Sequence, residues 1–445
     1  MSFPADFLWG AATSSYQIEG AALEDGRGEC IWTRFSHTEG NVKHGHTGDV
    51  ACDHYHRYAE DVALMQALGL RAYRFSIAWS RLLPQGTGAI NQAGVDFYNR
   101  LIDKLLEANI TPFVTLYHWD LPQALQDRGG WTSAEMPEWF AAYAALAAER
   151  YGDRVKHWIT LNEPWCIAFL GHHLGIHAPG IRDERAAFCA AHHTHLAHGR
   201  AVQVLRERLP NAQVGITLNL APIQPASDDP RDQEAARGFD GVQNRWFLDP
   251  IFKGMYPPDI AAYLTARGAL DGLDLESVRL AAQPLDFLGV NYYTRILIRH
   301  APNSPQGYEI YLPPDAPVTD MNWEIYPQGL RDLLLRVHRE YAPPGIYITE
   351  NGAAFPEPER VEGDLLEDSA RVAYLEQHFK AAAEAIAHGV PLKGYFVWSL
   401  LDNFEWAEGY TKRFGIVHVD FATQKRTLKR SALYLKQVIQ CGALS

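Results

Sequence analysis

Along the chain, apolar residues gather in continuous runs more often than they alternate with polar ones. The runs FLWGAATSSYQIEG, AYRFSIAW, TPFVTLYHW, HWITLNEP, QVGITLNL, DFLGVNYY, GIYITENG and KGYFVWSLLDN recur from Phe7 to Asn403. Continuity of this kind marks strands buried on both faces. Helical patterns lie between several of them. GVDFYNRLIDKLLEANI sets Phe97, Leu101, Leu105 and Ile110 near a 3.6-residue period, and PEWFAAYAALAAERYG predicts an Ala-rich helix closing on Gly152. GLRDLLLRVHREY and SARVAYLEQHFKAAAEAIAHG predict helices before and after GIYITENG. Eight buried strands, most followed by a helix, predict an α/β fold of the (β/α)8 TIM-barrel type rather than a doubly wound sheet.

No GxGxxG or GKS/T loop follows any of these strands, which weighs against dinucleotide and P-loop folds. No linker or shift of composition divides the chain, so residues 1–445 read as a single barrel domain. The Pro-rich stretch 301–327 after the sixth run is too long for an ordinary connection and predicts an extended rim loop with a functional part.

Composition narrows the function by exclusion. A net charge of −13 argues against nucleic acid and anionic membrane as partners, since both need a positive field. Five scattered cysteines with no CxxC pair argue against a disulfide framework and against zinc-finger spacing. The start, MSFPAD, carries no basic or apolar leader, and no run is long enough to span a bilayer. The expectation is a cytoplasmic protein, with a homo-oligomer left open.

In such barrels the C-terminal ends of the strands build the active site. The runs end on Gln17, Arg74, His118 with Trp119, Asn162 with Glu163, Asn291 with Tyr293, Glu350 and Trp398. Every one is polar or an indole. Two carboxylates with amides, His and Tyr for hydroxyls and Trp for apolar faces suit a sugar. Glycoside hydrolysis needs one carboxylic acid to protonate the leaving oxygen and one carboxylate at the anomeric carbon. Arg74, if it lies near Glu350, keeps that group ionised, with Tyr293 donating to it. Glu163 then feels the charge of Glu350 and holds its proton for acid work.

TLNEP, ITENG, FLWGAATSSYQIEG, YRFSIAWSR, LYHWDLP and WSLLDNFEWAEGYTKRFG, in that order over nearly the whole chain, resemble family 1 glycoside hydrolases, the β-glucosidase family. The resemblance implies a retaining mechanism with Glu163 as acid/base, Glu350 as nucleophile, and carboxyl groups about 5–5.5 Å apart. It implies that Gln17, His118, Asn162, Glu405 and Trp406 bond the sugar, with Trp119 and Phe414 beside them, over a floor formed by Trp398. Asn291 and Tyr293 become partners of the nucleophile, and Trp323 a wall for the leaving group. A carboxylate at Glu405 repels phosphate, so the implied substrate is an unphosphorylated β-glucoside, with galactosides and fucosides open. No cofactor is implied.

Rival readings are a carbohydrate-binding barrel, a transglycosylase and a metal hydrolase. The HxH of His54 and His56 does not fall at the end of the first run, and His192, His195 and His198 read as a packed helix face, so no metal is expected. His172, His173 and His177 read as loop structure near the bowl, and Cys166 as a small buried side chain.

Overall fold

The computed structural model describes residues 2–304, 306–356 and 365–444. The eight predicted runs form the eight strands of a closed, all-parallel barrel. These are β1 (Leu8–Ala12), β2 (Ala72–Ser76), β3 (Thr111–Tyr117), β4 (His157–Asn162), β5 (Gln213–Asn219), β6 (Phe287–Asn291), β7 (Ile346–Asn351) and β8 (Leu392–Trp398). Each pairs with its sequence neighbour, and β8 closes on β1 with Leu8 opposite Gly394 and Ala12 opposite Trp398. The predicted helices span Gln92–Glu107, Met136–Tyr151, Pro327–Tyr341 and Ser369–Ala387. No described helix is long and apolar enough to cross a membrane.

Side chains fill the barrel in layers, as the two-residue strand period requires. The first layer is aromatic. Phe113 stacks on His157 at 4.1 Å between centroids and packs on Phe396 at 4.8 Å and Tyr347 at 5.2 Å. Such rings fit only where facing positions are small. A Cβ at Gly10 would lie 2.6 Å from the Phe396 ring, and one at Gly215 would lie 2.5 Å from Phe287.

Two residues further along, Thr115, Thr217, Gly289 and Thr349 form a small polar layer, with Thr217 Oγ1 donating to Thr349 Oγ1 at 3.2 Å. The site residues stand on top of it. A packed plug with polar groups above is what makes the mouth a bowl and not a pore.

Some sequence expectations change. The first run is a strand only to Ala12; Gln17 lies in a short helix, Ser15–Ile18, that folds over the barrel mouth. Arg74 is the middle residue of β2, not its end. Helix Met136–Tyr151 stops before Gly152, but Gly152 keeps right-handed φ (−67°). What that position demands is close approach, since a Cβ there would sit 2.2 Å from Leu209.

The 301–327 stretch, apart from Pro305, which lies outside the described residues, is not structureless. Its Tyr308–Tyr311 strand pairs with Ile296–His300, and Ile223–Pro225 completes a three-stranded sheet outside the barrel. A bridge between Val318 and Glu324 then sets Trp323 beside the mouth.

Candidate active site

Glu350 is gripped from two sides. Arg74 Nη1 donates to its Oε1 at 2.6 Å and the Tyr293 hydroxyl to its Oε2 at 2.6 Å. Arg74 is itself fully buried and held by further acceptors: Asn162 Oδ1 at 2.6 Å, the Thr349 carbonyl at 3.1 Å and Thr115 Oγ1 at 3.2 Å. Its planar fork therefore has a fixed orientation.

The strand supplies the aim. Pairing of β7 with β6 changes register between Ile348 and Glu350, and pairing with β8 changes between Ile348 and Asn351. This irregularity breaks the alternation, so Glu350 follows Thr349 into the bowl while Asn351 turns outward. Asn351 Nδ2 donates to the Tyr292 carbonyl at 2.8 Å and to the Tyr374 hydroxyl at 2.9 Å, and its Oδ1 accepts from Tyr395. Behind it, a Cβ at Gly352 would stand 1.6 Å from the Trp398 carbonyl oxygen, so no larger residue fits.

The other carboxylate repeats the device. β4 shifts register against β5 between Ile159 and Asn162, and Glu163 takes a left-handed φ of 50°. Glu163 Oε1 accepts from Asn291 Nδ2 at 2.6 Å, and Oε2 accepts from Cys166 Sγ at 3.1 Å. Asn291 Nδ2 also reaches Asn162 Oδ1 at 3.1 Å, and Asn291 Oδ1 accepts from Thr349 Oγ1 at 2.7 Å. One bonded net thus links both carboxylates, and unlike Asn351, Asn162 belongs to it.

Asn162 Nδ2 donates to His118 Nε2 at 3.1 Å. Because Asn162 Oδ1 already faces the Arg74 guanidinium, its amide cannot be turned round, and His118 Nε2 must accept. The proton of the ring then sits on Nδ1, which is buried with no partner among the described residues. Glu405 Oε2 is likewise buried with no partner among the described residues. A donor and an acceptor left open in one bowl are the complement of a polyol, and an unpaired buried polar atom is costly otherwise.

Aromatic faces surround them. The His118 ring lies nearly parallel to Trp398 and to Trp406, 5.9 Å from each, and Trp119 packs 4.7 Å from Trp406. Trp323 and Phe414 lie 5.2 and 6.2 Å from Tyr293. Gln17 is bonded at both ends of its amide within the protein. Its Nε2 donates to the Phe404 carbonyl at 2.9 Å and to Asn403 Oδ1 at 3.1 Å, and its Oε1 accepts from Ser14 at 2.6 Å.

Burial and the charge of Glu350 push the Glu163 carboxyl up to about 8, against the pull of Asn291 and Cys166. Burial raises Glu350 too, and there Arg74, Tyr293 and Asn291 oppose it. Glu163 has no direct cation partner among the described residues and is therefore the member of the pair that more readily keeps a proton. Glu405 is raised to about 8 by burial, then by the charges of Glu350 and Glu163. Burial and Arg74 hold His118 well below its ordinary range, so the ring is neutral. Burial and the charge of Glu350 hold Tyr293 well above its ordinary range, so it remains a donor.

The other histidines have separate uses. His54 Nδ1 meets Asp61 at 2.7 Å in the interior, while His56 reaches Asp53 and Glu24 at the surface. His192 and His195 face the Tyr256 hydroxyl at 2.9 and 3.2 Å, and His198 faces Thr160 at 2.7 Å. His172 bonds the Ile167 carbonyl, and His177 packs on Trp119 at 5.4 Å between centroids. Side-chain partners that escaped sequence reasoning include Cys166, Thr115, Thr349, Ser14 and Asn403. Only Cys166 carried a signal, its place three residues after Glu163.

A barrel mouth with an asymmetrically charged carboxylate pair, open hydroxyl partners and indole faces is a site of the glycoside-hydrolase class. The particular kind follows from comparison. The model for Glycosyl hydrolase family 1 matches residues 1–443, and the chain belongs to that family.

It is 52% identical over 443 residues to "Beta-glucosidase A" of Thermotoga maritima, covering 99% of this chain and 98% of that one. It is 51% identical to "1,4-beta-D-glucan glucohydrolase" of Thermotoga neapolitana, covering 100% and 99%. The solved "Family 1 b-glucosidase from Thermotoga maritima" superposes with a TM-score of 0.97 at 51% identity, covering 100% of this chain and 99% of that one.

Proposed function

We propose that this family 1 enzyme is a β-glucosidase that removes terminal, unphosphorylated β-D-glucosyl residues with retention of configuration. The observation that carries the assignment of roles is the asymmetry of the pair. Arg74 lies 2.6 Å from Glu350, whereas Glu163 is held by the neutral donors Asn291 and Cys166.

Glu350 attacks the anomeric carbon as Glu163 gives its proton to the glycosidic oxygen. The bond to the aglycone breaks, the aglycone leaves as an alcohol, and a glycosyl ester forms on Glu350. The negative charge of Glu350 is thereby lost, so Glu163 holds its next proton less strongly in relation to its neighbours and serves as base. Water gives it a proton and attacks the anomeric carbon, and Glu350 departs as a carboxylate.

Asn162, His118, Gln17, Glu405 and Trp406 bond the sugar over Trp398, with Trp119 and Phe414 beside them and Trp323 beside the leaving group. Asn291 and Tyr293 position the two carboxylates. Lys412 does not offer a phosphate site here, since its Nζ donates to the Asp320 carbonyl at 2.7 Å and pairs with that carboxylate at 3.2 Å.

We take residues 1–445 as one catalytic domain acting without a cofactor in the cytoplasm. Support comes from the five cysteines, whose scattered spacing with no CxxC pair does not suggest a disulfide framework.

The test is release of nitrophenol from 4-nitrophenyl β-D-glucoside. Rapid turnover by the wild type and a fall of several orders of magnitude in Glu350→Ala is expected; a mutant within tenfold of wild type would overturn the nucleophile assignment. The galactoside and fucoside, assayed alongside, rank the sugars accepted.

A further inference from the structure

Cys166 takes part in none of the bond-making or proton-transfer steps above, yet its Sγ lies 3.1 Å from Glu163 Oε2. Local folding puts it there. The chain turns at Glu163, the Cys166 amide donates to the Glu163 carbonyl at 2.9 Å, and the helical segment Cys166–His173 begins. A residue three positions on returns to the same side of that turn.

The bonded net also decides which oxygen of Glu163 can carry the proton. Arg74 can only donate, so Asn162 Oδ1 is an acceptor at 2.6 Å. Asn291 faces that same oxygen at 3.1 Å and must present its NH2 group, which also lies 2.6 Å from Glu163 Oε1. Oε1 is therefore permanently an acceptor from an amide that cannot reverse. The proton that Glu163 delivers belongs on Oε2, the oxygen against the thiol.

We propose that Cys166 is a positioning residue for the acid, its thiol holding Glu163 Oε2 and setting how readily that oxygen releases and regains its proton. The proposal rests on the reading of Glu163 as acid/base. A thiol suits the task because sulfur is both a weak donor and a weak acceptor. It donates to Oε2 when Glu163 is ionised and gives way when Oε2 is protonated. A hydroxyl would donate more strongly and favour the carboxylate, whereas a hydrocarbon would offer no bond. Burial and the nearby charges of Glu163 and Glu350 raise Cys166 well above its ordinary range, so it stays S–H and competes for no proton in the working range.

The other charged or titratable groups acting on Glu163 are Arg74 from β2, Glu350 from β7, and Tyr293 and Glu405 from the loops after β6 and β8. Changing Cys166 alters none of them.

The experiment is the pH profile of kcat/KM for cellobiose, whose leaving group needs the acid, in wild type, Cys166→Ser, Cys166→Val and Cys166→Ala. The alkaline limb reports loss of the acid's proton in the free enzyme. It should move down by about half a pH unit in the Ser variant and up by a similar amount in Val and Ala, with the acidic limb unmoved. Cys166→Ala guards against misfolding of the bulkier Val variant.

Glu163→Ala, assayed on cellobiose and on nitrophenyl glucoside, separates the two ways of failing. A far larger loss on cellobiose, together with an unmoved limb in the Cys166 variants or shifts of the same sign in Ser and Val, would overturn the role of Cys166 alone. Equal losses on both substrates would overturn the acid assignment and the proposal with it.

Discussion

Glu163 shows how a residue's chemistry is made by its surroundings. In water its carboxyl would ionise near 4.5, and in the bowl burial and Glu350 raise it to about 8. The same burial, with the charges of Glu350 and Glu163, takes Glu405 to about 8. Such shifts cost stability. Between the unfolded value and the raised folded one, the native state holds protons that the unfolded chain has released. Stability from these groups is thus fully present below about 4.5 and is lost as pH rises toward about 8.

Glu163→Gln and Glu405→Gln should accordingly raise the thermal midpoint at pH 8 and leave it nearly unchanged at pH 4. Midpoints that rise equally at both pH values would show that packing, not charge, sets the effect.

At the scale of elements, the two motifs that end on a carboxylate are built alike but not identically. Each strand, β4 and β7, carries a register shift near its end, and that shift turns the carboxylate into the bowl. The neighbouring asparagines then part ways, Asn162 bonding Arg74 and His118 while Asn351 clamps Tyr292, Tyr374 and Tyr395 outside the barrel.

Gly352 closes the second motif because the Trp398 carbonyl leaves no room for a Cβ. Gly352→Ala should cost about 3 kcal/mol or more, since the atom in the way is backbone. Urea unfolding measures the loss, and a change under 1 kcal/mol would mean that the β7–β8 junction yields easily.

Over the whole molecule, the barrel brings β2, β4, β6 and β7 to one mouth, so that residues from Arg74 to Glu350 share one bonded net. Retention is the consequence to measure. Proton NMR of the first product formed from an aryl β-glucoside should show the β-anomer before mutarotation. Appearance of the α-anomer first would mean inversion, with water and not Glu350 as the attacking group. A trapped-substrate structure should also place the carboxyl groups about 5–5.5 Å apart.

Much of this was legible before folding. Continuous apolar runs identify strands buried on both faces, because a strand between a packed interior and a helix layer has no wet side. Polar residues at the ends of those runs identify the mouth, because nothing in a core needs Glu, Arg, Asn and His together. Other features depended on the third dimension. Gln17 read as a strand end but sits in a helix folded over the mouth, since β1 stops at Ala12.

The register shifts and the outward turn of Asn351 leave no trace in periodicity. Each is set by which strand pairs with which, and by contacts between residues that the chain alone does not bring together. The order of residues along the chain determined the strands, their direction and the chemical stock of the mouth. Only the closed barrel decided which carboxylate meets the cation and which keeps the proton, because charge acts through distance and burial, and both are tertiary.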